Sequence, residues 1–568
     1  VKKAYWGYNS FTPLFYLNAN NSNTNMVVQY RYTNQNLSWN WDNTVEYTKE
    51  IGKHNFAIML GTSALQTTGS GLNATYQGEP VTNYQDASFN FALPTAQRIA
   101  GAYDDQEYTM SSLFGRVTYN YDQKYLFTGI LRRDGSSKFG TNNHYGYFPS
   151  AQVGWVVNRE KFFPKNKVLD NLKIRLSYGV VGNDMSLGNF QYESIIAGGG
   201  GSNYVFGNDG LAIGYSTSSP ANPNLKWEQT SSFDAGFDAI LFNSLSVTFD
   251  YYTKKTTGML LQVQIPAFAG YTAQPWSNVG DLTNKGFEIN LGYTKNFGKD
   301  FRVNVQGNFA YNKNTVTYLG EGKQYLDGGA TFQTASYPLT RTAVGQPFGA
   351  FYGFEEMGVF HSQQEIDNYK DKNGNLIQPN AKPGDFKWAD LNGDGKIDQA
   401  DRTFLGTPIP PYTYGITVNL GYKNWDFMVF GQGVWGNKIF QAYRRLDIVT
   451  ANYPIEALNA WTIANPNSNY PRMSDSDPNN NFRYPSNFYL QNGAYFRIKT
   501  IQVGYSLPKP WMNVIGFKRA RVYASISNLF TLTKYTGYDP EVGGSSYGID
   551  RGIYPQSRTF LIGLNVGI

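Results

Sequence analysis

Cysteine is absent from the 568 residues, and histidine occurs only three times. A disulfide framework, a thiolate metal site and a cysteine nucleophile are therefore excluded. His54, His144 and His361 sit in unrelated segments, so a histidine-based catalytic set is not expected. Charge is sparse too. Asp, Glu, Lys and Arg make up 16% of the chain, against ~25% in an ordinary soluble domain. The net charge of +6 is spread along the sequence and gives nucleic acid no basic patch to grip. Mean hydropathy is −0.45, and no apolar run approaches the ~18 residues a membrane helix needs. That absence does not bear on membrane strands, in which only alternate residues face lipid. The chain opens Val1-Lys2-Lys3-Ala4-Tyr5, without a charged and then apolar leader. Processing, or a longer parent polypeptide, is the expectation.

What is plentiful favours strands and turns. There are 44 Tyr, 38 Phe and 59 Gly, and such a mixture suits pleated surfaces joined by tight turns. The dominant periodicity is two. Phe287, Ile289, Leu291 and Tyr293 alternate with Gly286, Glu288, Asn290 and Gly292. Tyr412, Tyr414, Ile416, Val418, Leu420 and Tyr422 alternate with Thr413, Thr417 and Asn419. Phe560, Ile562, Leu564, Val566 and Ile568 share one face. Each segment thus has an apolar and a polar side. The pattern predicts roughly fifteen or sixteen strands, among them 25–33, 37–51, 53–66, 108–121, 284–297, 300–315, 411–422, 425–439, 493–507, 518–530 and 557–568. In 493–507 the phase slips by one residue, which a bulge near Thr500 would reconcile. Short turns (Asp122-Gln123, Asn243-Ser244, Gly298-Lys299, Lys423-Asn424) alternate with long excursions at 69–106, 183–224, 263–283, 316–410, 440–492 and 531–556. Short turns at one end and long loops at the other are the pattern of an outer-membrane β-barrel. The fold expected is therefore all-β, a transmembrane antiparallel β-barrel.

Several stretches resemble the SusC/RagA family of TonB-linked outer-membrane proteins. They are Ser112-Leu113-Phe114-Gly115-Arg116-Val117-Thr118-Tyr119-Asn120-Tyr121, Leu131-Arg132-Arg133-Asp134-Gly135-Ser136-Ser137-Lys138-Phe139-Gly140, Asn222-Pro223-Asn224-Leu225-Lys226-Trp227-Glu228 and Asn284-Lys285-Gly286-Phe287-Glu288. Further along come Phe348-Gly349-Ala350-Phe351-Tyr352-Gly353-Phe354, Gly358-Val359-Phe360 and Leu490-Gln491-Asn492-Gly493-Ala494-Tyr495-Phe496-Arg497-Ile498-Lys499. The resemblance implies a plugged barrel of about 22 strands, of which residues 1–568 would be a C-terminal portion without the plug or the TonB box. Ile568 stands where the family usually ends its last strand on an aromatic residue. The implied activity is energised import of oligomers, with no enzyme chemistry. The implied partners are a SusD-like lipoprotein lid, TonB acting through the plug, outer-membrane lipid, and an assembly of two such pairs. Glycans are the first cargo class and oligopeptides the second. A passive porin, or a secreted calcium-binding β adhesin, would share much of the same patterning.

The sharpest local motif is Asp390-Leu391-Asn392-Gly393-Asp394-Gly395-Lys396-Ile397-Asp398-Gln399-Ala400-Asp401, within the 316–410 excursion. It follows the EF-hand loop, with oxygen donors at positions 1, 3, 5, 7, 9 and 12 and Gly at 6. Asp390, Asn392 and Asp394 would offer side-chain oxygens to Ca2+, Lys396 its carbonyl, and Asp398 and Asp401 carboxylates. Asp401 is one methylene shorter than the usual Glu. An ion-free turn held by side-chain to backbone bonds is the competing reading. Gly198-Gly199-Gly200-Gly201-Ser202 lacks a following Lys-Ser/Thr and reads as a loop. The loop aromatics Tyr271, Trp276 and Trp461 would stack on sugars or, more simply, pack the loops. Glu288, Arg302, Asn304, Gln306, Arg519 and Arg521 are expected to line a polar interior.

Overall fold

The computed structural model describes residues 2–18, 21–105, 107–163, 167–198, 203–207, 210–263, 265–332, 337–444, 446–447, 451–542 and 547–567. Ile568 and the run Gly199-Gly200-Gly201-Ser202, both singled out above, lie outside them.

Among the described residues, seventeen strands make up the main sheet. The first six are β1 (Lys2–Thr12), β2 (Val28–Ile51), β3 (His54–Gln77), β4 (Arg98–Asp104), β5 (Tyr108–Tyr121) and β6 (Tyr125–Ser136). Next come β7 (Tyr145–Val156), β8 (Leu169–Asn183), β9 (Glu228–Leu241), β10 (Leu245–Thr257), β11 (Asp281–Phe297) and β12 (Phe301–Tyr318). The last five are β13 (Tyr412–Tyr422), β14 (Trp425–Trp435), β15 (Tyr495–Ser506), β16 (Arg519–Thr533) and β17 (Thr559–Gly567). Two compact units divide the chain: Val1–Val153, Tyr178–Ser231 and Gly258–Val279 in the first, and Gly154–Ser177, Ser232–Thr257 and Gly280–Ile568 in the second.

In the first unit, β2 and β3 form one hairpin paired from Ile51↔His54 to Val28↔Gln77. β1 pairs along the far end of β2. β3 is shared, pairing with β5 nearer the turn and with β4 beyond it. Asp122 and Gln123 both take positive φ, 51° and 52°, which gives the mirror-image turn that matches strand twist. A small core of Phe139, Phe148, Leu187, Leu225, Trp227 and Leu260 gathers under the loops.

In the second unit, β10 to β17 pair each with the next, all antiparallel. The expected irregularity in β15 is present. Phe430 faces Thr500 and Gly431 faces Ile498, so Lys499 is the additional residue. The shift restores Phe496, Ile498, Ile501 and Val503 to useful faces, as a bulge does.

The strands differ from the sequence expectation in three places. Segments 25–33 and 37–51 are a single strand, because polar Asn34-Gln35-Asn36 keeps the period and pairs with Gly69–Gly71. Lys2–Thr12 and Arg98–Asp104 are strands that were not expected; the second lay inside the presumed 69–106 loop. Both are held by the long strands they pair with, β1 along β2 and β4 along β3.

Because Lys499 is the additional residue, removing it leaves Phe496, Ile498, Ile501 and Val503 on one face in plain alternation, whereas removing Thr417 from the regular β13 turns half of that strand to the wrong face. The full-length protein lacking Lys499 is expected to keep its SDS-resistant, heat-modifiable form, and the protein lacking Thr417 to lose it. Loss of that form in both would contradict the bulge.

Candidate functional site

Two rows of aromatic residues cross the sheet of the second unit. The first follows the register Tyr251↔Phe287↔Tyr311↔Tyr412↔Trp435. The second follows Phe297↔Phe301↔Tyr422↔Trp425↔Tyr505. Directly paired residues share a face, and so do residues an even number apart. The two rows are ten residues apart along β11 to β14 and therefore lie on one face. Ten residues at ~3.4 Å span ~34 Å along a strand, or ~25 Å once tilted by ~45°. That is the height of the apolar band of an outer-membrane barrel, which carries an aromatic girdle at each edge. Between the rows the same face shows Ile289, Leu291, Val303, Val305, Ile416, Val418, Leu420, Phe427 and Val429. Leu291 and Ile416 are 46% and 42% exposed, and Tyr422 and Trp425 more than half. An exposed apolar surface this continuous requires an apolar phase against it.

The opposite face is polar. Asn419 donates from Nδ2 to Asn304 Oδ1 at 3.2 Å, and Asn304 donates to Thr294 Oγ1 at 2.7 Å. Arg521 Nε donates to Asp426 at 2.8 Å. Glu288, Arg302, Gln306 and Arg519 stand on this face too, by register. The predicted polar interior set is thus brought onto one side.

The excursions between the strands are not slack. Phe332, Leu339, Phe351, Phe440, Leu446, Phe482, Tyr489 and Ile549 form a buried cluster drawn from three separate excursions. A second joins Phe354, Val359, Phe386 and Trp388. Buried polar groups pin them together. Asp385, wholly buried, accepts from Asn481 Nδ2 at 2.8 Å and from Arg472 at 3.2 Å. Gln378 donates to the Phe386 carbonyl and accepts from the Trp388 N–H. The sequence reading took these stretches as polar loops. Their aromatic residues recur without period, so no strand or helix pattern announces them.

The last excursion is clamped to β15. Arg497 donates to Asp539 at 2.5 Å and to Glu541 at 2.9 Å, and the bulged Lys499 reaches Glu541 at 2.8 Å. The side chains of Arg497 and Asp539 are almost fully buried. Burial alone would push the Asp539 carboxyl up, but Arg497 and the N–H groups of Gln556 and Glu541 outweigh it and hold the carboxyl below its ordinary value.

The 390–401 loop closes on itself. Asp390 accepts from Gly393 and Gly395 N–H, at 2.8 and 3.0 Å. Asn392 accepts from Asp394 N–H, Asp394 from Lys396 N–H, and Asp398 from Ala400 N–H. Asp401 is fully buried and accepts from Leu391 and Asp398 N–H, at 2.9 and 2.8 Å. Lys396 Nζ lies 3.1 Å from Asp398. Gly395 has φ +85°, and a Cβ there would meet Asp371. Among the described residues, no three His, Cys, Asp or Glu side chains are gathered as they would be round a metal ion.

A cavity of about 320 Å³ opens beside these excursions, bounded by Gln441, Tyr443, Arg444, Gln491, Thr536 and Tyr538. Buried Gln441 donates to Tyr443 Oη at 3.0 Å and to Thr536 Oγ1 at 3.2 Å. Its carbonyl accepts from Gln491 at 3.1 Å and Arg444 at 3.3 Å. Arg444 also stacks on Phe488, 4.7 Å from the ring centre. None of these residues was singled out from the sequence except Gln491, through its place in the 490–499 stretch; their sequence separation leaves no local motif.

Of the aromatics expected to stack or pack, Trp276 and Trp461 pack. Trp276 lies against the first unit's core, and Trp461 donates to the Pro466 carbonyl at 2.9 Å. Tyr271 stays exposed. His54, His144 and His361 have different partners, Tyr119, the Phe139 carbonyl and the Pro466 carbonyl, and form no common site.

The sequence matches the family model described as TonB dependent receptor-like, beta-barrel, over residues 2–529. It is 33% identical over 552 residues to TonB-dependent receptor P3 of Formosa agariphila, covering 95% of this chain and 53% of that protein. It is 29% identical over 571 residues to TonB-dependent receptor SusC of Bacteroides thetaiotaomicron, covering 96% and 53%. The chain thus spans about half the length of these relatives. Among solved structures, the RagAB peptide transporter superposes with a TM-score of 0.80 at 24% identity, over 99% of this chain and 59% of that one. At that identity the likeness is one of fold.

A carboxyl held below its ordinary value stabilises above about pH 4 and stops doing so as pH falls through the folded-state value. The protection factors of amides within 534–542 in the full-length protein, taken relative to the intrinsic exchange rate at each pH, should therefore fall on acidification from pH 7 to about 3. In Asp539→Asn they should already be low at pH 7, since removing one partner of a buried pair costs about 3–5 kcal/mol. Unchanged protection in the variant would contradict the clamp.

Proposed function

We propose, from the premise that this chain belongs to the TonB-dependent receptor-like β-barrel family, that it forms part of an outer-membrane importer of oligomeric nutrients. Glycans are the first cargo class. A SusD-like lipoprotein covers the long excursions, and TonB supplies the pull through a plug domain. The observation that carries the membrane part is the pair of aromatic rows bounding a ~25 Å apolar band. The naming of relatives as TonB-dependent receptors, SusC among them, supports energised import. The excursions, folded around cores of their own, offer a firm platform for a lid rather than slack loops.

Oligopeptide cargo is the second reading, favoured by the fold shared with a peptide transporter. A secreted adhesin would bury the apolar stripe between two sheets, yet Leu291, Ile416 and Val503 are all well exposed. A passive porin would need no TonB.

The calcium reading of 390–401 is carried forward with this function, as a structural brace. Each side-chain oxygen that now holds a backbone N–H keeps a further lone pair. A cation would have to draw the carboxylates of Asp390, Asp394 and Asp398 together against Lys396. That rearrangement confines affinity to the weak end of calcium loops, about 10⁻⁴–10⁻³ M.

Residues 1–568 contain no cysteine, so a label placed in them is unique once any cysteine elsewhere in the full-length protein has been replaced. In the full-length protein in bilayers, a label at Val418→Cys should relax with oxygen, and one at Asn419→Cys with a water-soluble nickel chelate. Equal accessibility at both would remove the membrane assignment. Cells should take up labelled oligosaccharide only with intact TonB; passage without TonB would favour the porin, and uptake of peptides alone the second cargo class. For calcium, the full-length protein should gain protease resistance in the 390–401 region at millimolar Ca2+, and Asp394→Ala should lose that gain. No change in the parent protein would leave the ion-free turn.

A further inference from the structure

We infer that the cavity beside Arg444 is a binding subsite for a neutral pyranose residue of the incoming glycan; this rests on the glycan reading above. Its volume of about 320 Å³ is at the small end for ligand cavities, which run from ~300 to ~1,000 Å³. That suits one sugar residue and little more.

The chemistry of the wall points to hydroxyl groups. Gln441 is 1% exposed and uses both ends of its amide on the wall itself. It acts as a positioning residue. It holds the Tyr443 hydroxyl and, with Gln491 and Thr536, closes the inner wall: Gln491 Nε2 donates to Thr536 Oγ1 at 2.8 Å, and Thr536 donates from its N–H and its hydroxyl to Gln491 Oε1 at 2.9 and 3.1 Å. The groups left toward the opening are the tyrosine hydroxyls, the Arg444 guanidinium and the Glu456 carboxylate, and sugar hydroxyls, which both donate and accept, match such a set. Side chains already locked in place spare the ligand the ordering entropy of binding.

The rim supplies flat apolar faces. Tyr443 and Tyr538 have ring centres 6.2 Å apart at 37°, and Tyr538 is 71% exposed. Tyrosine combines a broad apolar face with a polar tip and loses little entropy on binding. The apolar C–H face of a pyranose is its complement.

The charge balance argues for a neutral ligand. Arg444 is already stacked on Phe488 and bonded to Gln441. Glu456 stands at the rim with opposite charge. A carboxylate or sulfate entering would meet Glu456 and a guanidinium that is already engaged. Among the described lining residues Pro454 is the one aliphatic side chain, and apart from Gly537 the rest are polar, charged or tyrosine.

The test uses the full-length transporter in detergent and measures binding by titration calorimetry. The probes are maltohexaose, cellohexaose, laminarihexaose, xylohexaose and mannohexaose, with trigalacturonate and a tryptic peptide digest as charged and peptide comparators. At least one neutral oligosaccharide should bind. Tyr538→Ala should weaken it about tenfold, and Tyr538→Phe should stay within about twofold. Gln491→Ala should weaken it as well, and the thermal midpoints of the exposed-site variants should match the parent. A neutral sugar that binds the parent, Tyr538→Ala and Gln491→Ala alike would overturn the subsite and leave the glycan reading standing. Binding of trigalacturonate alone, sensitive to Tyr538→Ala, would overturn the neutral class. Binding of peptides alone would overturn the glycan reading and the subsite with it.

Discussion

Backbone hydrogen bonds between neighbouring strands are what the rest of this molecule depends on. In hydrocarbon no water can satisfy a free N–H or C=O, so every such group must be paired within the protein. The antiparallel pairing from β10 to β17, shifted in register at Asp281/Leu282 and around Lys499, meets that demand through eight consecutive strands. Once the register is set, the side chains have no further choice. Odd positions of β11 and even positions of β13 fall on one side of the sheet, even positions of β11 and odd positions of β13 on the other, and composition follows. Leu, Val, Ile and Phe collect on one face, while Asn, Thr, Arg and Asp collect on the other. The single break in β15 is of a piece with this: Lys499 is admitted as an additional residue, and its ammonium group then serves the clamp on the last excursion.

The segments beyond the band answer to a different solvent. There the backbone can bond to water, so nothing forces regular structure, and stability comes from buried aromatic groups and satisfied polar ones. Asp385, Asn481, Gln378 and Arg472 show the second part well. Asp385, Asn481 and Gln378 are buried and Arg472 is half-buried; each is bonded, and none lies in a long strand or helix. The 390–401 loop follows the same rule on a smaller scale, with carboxylates turned onto N–H groups. The cavity beside Arg444 differs in one respect. Its inner amides and the Thr536 hydroxyl are saturated among themselves, while the Tyr538 ring stands exposed at its edge.

The strands were legible in the sequence because period two is a local property. Phe287 to Tyr293 and Tyr412 to Tyr422 declare themselves within a few residues, and so did the slip near Thr500. The errors came where composition hid the period: Asn34-Gln35-Asn36 looked like a break, and Arg98–Asp104 looked like part of a loop. Membership of the family was legible as well, from short stretches whose order covers most of the chain. The excursions were not. Phe332, Phe440, Tyr489 and Ile549 meet only in three dimensions, and the cavity residues Gln441, Gln491 and Thr536 are brought together by the strands that flank them. No spacing rule links positions so far apart. The calcium motif was the reverse case, clear as a pattern while its chemistry stays a proposal.

The cluster around Phe332 and Phe440 also constrains biogenesis. It needs Ile549, which is synthesised after almost everything else in the chain. Until that residue arrives, Phe332 and Phe440 pack on Tyr489 without one of the side chains that close the cluster. The excursion that ends at the final strand is therefore the last piece of this core to be laid down, and the core tightens only when that strand takes its place.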